Sequence, residues 1–129
     1  LLLIKKHDFI CLFVILTSLF SCGKKDEQSV NLNDPVVVKN IADKVLADDV
    51  KFSSSGNFTF NKYSSIVAGT EVAKKDSWGI SFSLIEDVDG EFKKVFKTTV
   101  LDGSFSKCLV DKIKLSSFGG EMIYYNSKD

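Results

Sequence analysis

No arginine occurs in this chain; all 17 of its basic residues are lysine. The planar fork that clamps phosphate or carboxylate bidentately is therefore missing. Histidine is nearly absent too. Its one copy, His7, lies close to the start of the sequence. A Ser–His–Asp triad, a Cys–His pair or an imidazole metal site would have to rest on that residue alone. Cysteine is limited to Cys11, Cys22 and Cys108, too few for a Cys-rich zinc centre. Neither sign of charge dominates. Seventeen lysines face 17 acidic residues and the formal net charge is +0, which argues against a nucleic-acid partner. A disordered chain is excluded by a hydrophobic share of 44 %, because that much apolar side chain can supply a core. A length of 129 residues allows one domain. Neither repeats nor low-complexity tracts are present.

What is there begins with a composition break at Cys22. Lys5, Lys6 and His7 precede an uncharged run from Phe9 to Phe20, Phe-Ile-Cys-Leu-Phe-Val-Ile-Leu-Thr-Ser-Leu-Phe. Its 12 positions fall short of the roughly 20 that a spanning helix needs. A cationic stretch followed by about 7–15 apolar residues is the layout of a secretory signal. A buried core helix fits less well, since the run is apolar on every face.

The run ends in Leu19-Phe20-Ser21-Cys22-Gly23. This resembles the lipobox of bacterial lipoproteins: Leu, a variable residue, a small residue, then Cys. The resemblance implies cleavage before Cys22 and transfer of a diacylglyceryl group to its thiolate, the nucleophilic form of the side chain. It assigns signal-peptidase recognition to Leu19, Ser21 and Gly23, with the small Ser21 and Gly23 opening the backbone to the peptidase. It also implies fatty acyl chains of the palmitate type. Lys25-Asp26-Glu27 is similar to the surface-export tag of some Gram-negative lipoproteins. The bland reading is a solvated polar tether.

These readings divide the chain into a signal peptide over 1–21, a lipidated Cys22 and polar tether over 22–34, and a single small β-rich domain over 35–129. The chain stops soon after the apolar Met122–Tyr125 stretch, which is compatible with a further C-terminal piece. Asp34-Pro35 predicts a helix start, Asp as cap and Pro in the first turn. Val37, Val38, Ile41, Ala42, Val45 and Leu46 recur at helical spacing, so a helix over 35–48 is expected. Strands are expected at Val50–Ser53, Phe58–Phe60, Ser65–Ala73 and from Trp78 to Leu84, where apolar residues alternate with small polar ones. Asp89-Gly90 and Asp102-Gly103 predict hairpin turns. Between them a strand over Glu91–Leu101 is expected, with a bulge at Lys93-Lys94. Ser104–Leu115 and Met122–Tyr125, broken at Gly119-Gly120, complete the set. The fold class is mainly β: an antiparallel, meander-like sandwich or small barrel with one short N-terminal helix, α+β being the alternative. Trp78, Phe82, Phe96, Phe105 and Leu109 are the expected core.

Candidate chemistry in the domain is thin. Glu86–Glu91 invites a calcium reading, but with Gly90 at the glycine of an EF-hand loop the first and last ligands would be Ile85 and Phe96, which have no side-chain oxygen. No metal and no cofactor is expected. Cys108 reads as a small buried hydrophobe on a strand rather than a reactive thiol. Tyr63, Tyr124 and Tyr125 are candidates for a binding surface. Lys93, Lys94, Lys97, Lys112 and Lys114 would form a basic stripe if the two long strands carrying them paired. The expectation is a non-enzymatic lipoprotein of the bacterial cell envelope. Its membrane attachment is the lipid on Cys22, and the outer membrane is its expected site, facing either the surface or the periplasm. The β domain would bind an unknown protein or polymer partner or serve structurally. The alternative is an inhibitor or immunity-type lipoprotein that blocks a lytic enzyme or toxin through a loop such as Asp87–Glu91 or Ser116–Gly120; a hydrolase is a third reading.

Overall fold

The computed structural model describes residues 29–59, 64–115 and 119–127. Helix α1 spans Pro35–Leu46. Asp34 caps it from an extended backbone, its Oδ1 accepting the Val36 N–H at 2.9 Å. One donor that the first turn would leave unpaired is satisfied in this way. The helix ends at Leu46, two residues before the expected Asp48, and is capped by Ala47, whose φ of 50° is left-handed. Asp43 then ties the helix to the next segment. It pairs with Lys39 one turn back and accepts the Val50 N–H at 2.9 Å. Lys39 first, and then the Val50 N–H, hold its carboxyl below the usual range.

Five strands follow as an antiparallel sheet: β1 (Phe52–Gly56), β2 (Ser65–Ala73), β3 (Trp78–Val88), β4 (Glu91–Lys97) and β5 (Leu101–Asp102). The order is β1-β2-β3-β4, and β5 pairs with β3 beyond β4. Strands β6 (Cys108–Leu115) and β7 (Gly120–Ser127) form a separate antiparallel hairpin. The architecture is mainly β, as the alternation implies, with one short helix. Among the described residues the sheets do not close, so the barrel alternative falls.

The β3–β4 turn is the one Asp-Gly predicts. Asp89 and Gly90 both have positive φ, 56° and 84°, as a two-residue type I′ connection requires. Asp102-Gly103 is no such turn. Asp102 ends β5, and Gly103 donates its N–H to the Trp78 carbonyl. The expected single strand over Glu91–Leu101 is two pieces laid along one edge of β3. At the gap Thr98 stands in for the ladder: its N–H bonds the Phe82 carbonyl at 2.8 Å and its Oγ1 accepts the Phe82 N–H at 3.0 Å. The bulge is present but further on. Leu84 pairs Phe96 while Ile85 pairs Lys94, leaving Val95 as the extra residue. Phe58 and Thr59 lie in a bend rather than a strand; Phe60 lies outside the described residues. Ser104–Lys107 is a turn before β6 rather than its beginning.

Alternation assigns each strand residue to one of two sheet faces. Ile66, Ala68 and Ile85 share one face, and α1 packs there with Val38 and Ala42, joined by Val50; all six are buried. Leu32, ahead of the helix, packs against the same cluster. Ser81 and Ser83 lie on this face too and are buried, so the small polar face of β3 does not meet solvent. The opposite face carries Phe52, Gly69, Ile80, Phe82 and Leu84. Phe82 is the hub of an aromatic cluster, edge-on to Phe52, Phe105 and Tyr125.

Of the five expected core residues, Phe82 is buried and Phe105 is half-buried. Trp78, Phe96 and Leu109 are about half exposed instead, at 52 %, 60 % and 48 %. The reason is coverage. A two-stranded hairpin is too narrow to roof a five-stranded sheet, so Trp78 at the start of β3 and Phe96 on the outer strand are left at its margins, while Leu109 faces away from the sheet.

Candidate functional site

The residues that the lipobox resemblance singles out, Leu19, Ser21, Cys22 and Gly23, lie outside the described residues, as do Lys25, Asp26 and Glu27. The described residues begin at Ser29 and lead into the turn at Asn31–Asp34, where the chain joins the domain. Ser55 of β1 donates its hydroxyl to the Leu32 carbonyl there. Tyr63 and residues 116–118 of the proposed loop are also outside.

Within the domain, the polar chemistry gathers where the β6–β7 hairpin meets the sheet. One latch is at the β1 end. Glu121 accepts the Asn57 N–H through Oε2 at 2.8 Å, and its own N–H donates to the Asn57 carbonyl at 2.9 Å. Lys112 pairs with Glu121 Oε1 at 3.2 Å and donates to the Ser55 carbonyl at 2.8 Å. Gly56 is required beside it, because a Cβ there would collide with the Glu121 carboxylate. The Asn57 N–H first, and Lys112 next, hold the Glu121 carboxyl below its usual range.

The second latch is at the other end. Glu71 accepts the Ser104 hydroxyl and the Phe105 N–H, both at 2.9 Å. Tyr125 donates its phenol to the Asp102 carbonyl at 2.6 Å, and the Cys108 thiol donates to the same phenol oxygen at 3.4 Å. The neighbouring Cys108, then burial and the negative charge of Asp102, push the Tyr125 phenol up to about 12. The phenol thus stays protonated, and a donor, through the neutral range. Gly103 makes room for this cluster with a φ of 140°. A Cβ there would lie 2.5 Å from the Tyr125 oxygen and 3.0 Å from the Cys108 sulfur. Cys108 is half-buried, a strand residue used as a hydrogen-bond donor rather than a fully buried hydrophobe.

Between the latches runs an apolar cleft of about 360 Å³, floored by Val67, Phe82, Leu84, Phe96 and Leu101 and walled by Ile123. A larger groove of about 570 Å³ lies between α1 and β4, with Ile41, Val45 and Phe92 at its base and Lys44, Lys93 and Lys94 around it. Lys93 is paired with Glu91 at 3.2 Å. The five-lysine stripe does not form, because β4 and β6 belong to different sheets. In the acidic loop Asp87 bonds the Gly90 N–H at 2.7 Å and so serves the turn itself. Among the described residues no three His, Cys, Asp or Glu side chains converge as a metal site would. Also among these residues, no helix is long and apolar enough to cross a membrane.

The latches could not be read from the sequence. Glu121 lies 64 positions from Asn57, and Phe105 lies 34 from Glu71; no local pattern links residues so far apart. The one available signal was Gly56 and Gly103, glycines beside strands, which mark close approach.

Glu121 makes the first latch pH-dependent. Its folded carboxyl titrates below the ordinary 4.5, so its contribution is complete above that value and is lost as pH falls through the depressed folded value. Glu121→Ala should cost about 1–3 kcal/mol at neutral pH, the range for losing a hydrogen bond to a charged group. Glu121→Gln keeps an acceptor for Asn57 but loses the charge, and should flatten part of the stability decline between pH 5 and pH 3. Urea unfolding across that range checks both; an unchanged slope in Glu121→Gln would remove Glu121 from the account.

No family model, no curated protein and no solved structure matches the chain.

Proposed function

We propose that the chain is a lipoprotein of the bacterial cell envelope, held to a membrane by acyl chains on Cys22, with a β domain that binds a partner or serves structurally. The observation that carries this reading is Leu19-Phe20-Ser21-Cys22-Gly23 at the end of an uncharged run behind Lys5-Lys6. Each buried methylene of an acyl chain contributes about 0.8 kcal/mol, and two or more chains make attachment stable. The geometry supports such an anchor at one point. Leu32 is the first of the described residues packed on the domain core, and residues 23–31 separate it from Cys22. Nine residues span at most about 30 Å, short enough to keep a domain beside a membrane. Outer-membrane residence and the export role of Lys25-Asp26-Glu27 belong to the same proposal, and no catalytic step is assigned.

Cys22→Ala tests it. The variant should run as an unprocessed precursor and fail to incorporate labelled palmitate. Processing and labelling equal to those of the parent would end the proposal. Protease shaving of intact cells then separates the two faces: loss of the domain places it outside, and protection until lysis places it in the periplasm.

A further inference from the structure

Strand β4 is an outer strand of its sheet. The order ends there, β5 lies along β3 beyond it, and among the described residues no backbone bond reaches the far side of β4. The register says which groups that edge offers. Glu91 closes the two-residue turn with Val88, so Glu91 and Lys93 aim their N–H and C=O groups at β3. Phe92 and Lys94 alternate with them and aim theirs outward. An edge with open donors and acceptors is a template for one more strand.

Side chains alternate with the same period. Phe92, Lys94 and Lys97, opposite Asp87, Ile85 and Ser83, therefore share the face that carries α1. Phe92 and Lys94 border the groove between β4 and the helix, where Ile41, Val45 and Phe92 are apolar and Lys44 stands on the helix side. The acids beside them are already engaged. Glu91 pairs with Lys93, and Asp87 bonds the Gly90 N–H. Lys44, Lys94 and Lys97 make no ion pair among the described residues. The charge of this border is thus unmatched, and it complements an acidic ligand. Lysines on an edge keep strands of their own sign away. The same strand shows Val95 and Phe96 to solvent, so the edge is not simply a polar one. A second copy fits poorly, since β4 carries three lysines and one glutamate and self-pairing would set two positive edges together.

From this geometry we infer that the outer edge of β4 takes up an extended acidic segment of a partner protein as an added strand. Its backbone bonds Phe92 and Lys94. An apolar side chain opposite Phe92 enters the groove, and acidic side chains further along the same face meet Lys94 and Lys97, with Lys44 within the same border. Backbone pairing supplies affinity in such a mode, and the alternating side chains supply selectivity. The inference rests on the partner-binding part of the reading above and not on the lipid.

The test uses the full chain, extracted from membranes in detergent, and the peptide Thr-Ile-Thr-Glu-Thr-Glu-Thr, with a control in which lysine replaces both glutamates. Exchange of the Phe92 and Lys94 amides, read by nuclear magnetic resonance, should slow by about tenfold at millimolar acidic peptide and stay unchanged with the control. Lys94→Glu with Lys97→Glu should weaken the acidic peptide by about tenfold and make the lysine peptide the better ligand. Both side chains are exposed, and circular dichroism checks that the variant keeps its fold. Unchanged exchange at Phe92 and Lys94 overturns the inference, as does protection that the double variant leaves in place. Slowing that follows protein concentration without peptide assigns the edge to a second copy and overturns it too. Palmitate labelling of the same preparation reads the anchor separately. A labelled protein that does not protect these amides ends this inference and leaves the anchor standing; protection in an unlabelled protein does the reverse.

Discussion

Phe82→Ala should destabilise the protein by about 3–5 kcal/mol and release the β6–β7 hairpin before the sheet unfolds. Phe82 is the one buried aromatic residue among those described. Its ring meets Phe52 of β1, Phe105 of the turn before β6 and Tyr125 of β7, with centroids 6.3, 5.9 and 6.3 Å apart. These edge-on contacts add about 0.5–1.5 kcal/mol per pair to simple burial. Two of the three partners lie on the hairpin or its approach, so the ring is the apolar link between the layers. Gly69, directly across the strand pair from Phe82, is part of the same arrangement. A Cβ at Gly69 would strike the Phe105 ring and come within 3.1 Å of Phe82; its absence is what lets Phe105 settle over the sheet. Phe82→Leu should cost less, because it refills most of the space. Hydrogen exchange of the Phe82→Ala variant checks the order of events. Amides of residues 108–115 and 120–126 should lose protection while those of β2 and β3 retain it. Uniform loss across both layers would show that the hairpin is no separate unit.

The contrast between latch and sheet is also where the sequence stopped being informative. The helix was legible from Asp34-Pro35 and a periodic apolar stripe, since caps and periodicity are local. Strand β3 was legible from Trp78-Gly79-Ile80-Ser81-Phe82, and the β3–β4 turn from Asp89-Gly90. Pairing order was not. Asp102-Gly103 has the composition of a hairpin turn, yet the strands on either side of it belong to different sheets. Alternation says which residues share a face, and it does not say how much of that face is roofed. Phe82 and Phe96 look alike in sequence; one is 8 % exposed and the other 60 %. Nor does it say which face is wet: Ser81 and Ser83 have the size that buried, close-packed positions accept as readily as surface ones. For the functional reading the order is reversed. The lipobox resemblance is entirely a property of residues 19–23, and the geometry contributes only where the chain ahead of the helix meets the fold, at Leu32.

The helix side of the sheet should respond differently from the hairpin side. Ile85→Ala is expected to cost about 2–5 kcal/mol and to shift the cooperative transition as a whole. Ile85 is fully buried beside Ile66, its cross-strand partner, and under Val38 and Ala42 of α1. Apolar burial of one such side chain is worth about 1.5–3 kcal/mol, and the cavity left by truncation adds to that loss, since a strand between two paired neighbours cannot collapse inward. Native stability of a domain this size is only about 5–15 kcal/mol, so the upper part of the range approaches the whole. Ile85→Val, which removes one methylene, should cost about 0.5–1.5 kcal/mol and keep the transition intact. Urea unfolding followed by far-ultraviolet circular dichroism and by Trp78 fluorescence distinguishes the two sides. In Ile85→Ala both probes should move together to lower urea. In Phe82→Ala the Trp78 signal should move first, because Trp78 bonds Gly103 on the approach to the hairpin. If Ile85→Ala instead left the sheet's transition in place and altered only the helix signal, α1 would be a peripheral element, and the stability of the sheet would have to come from the Phe82 side.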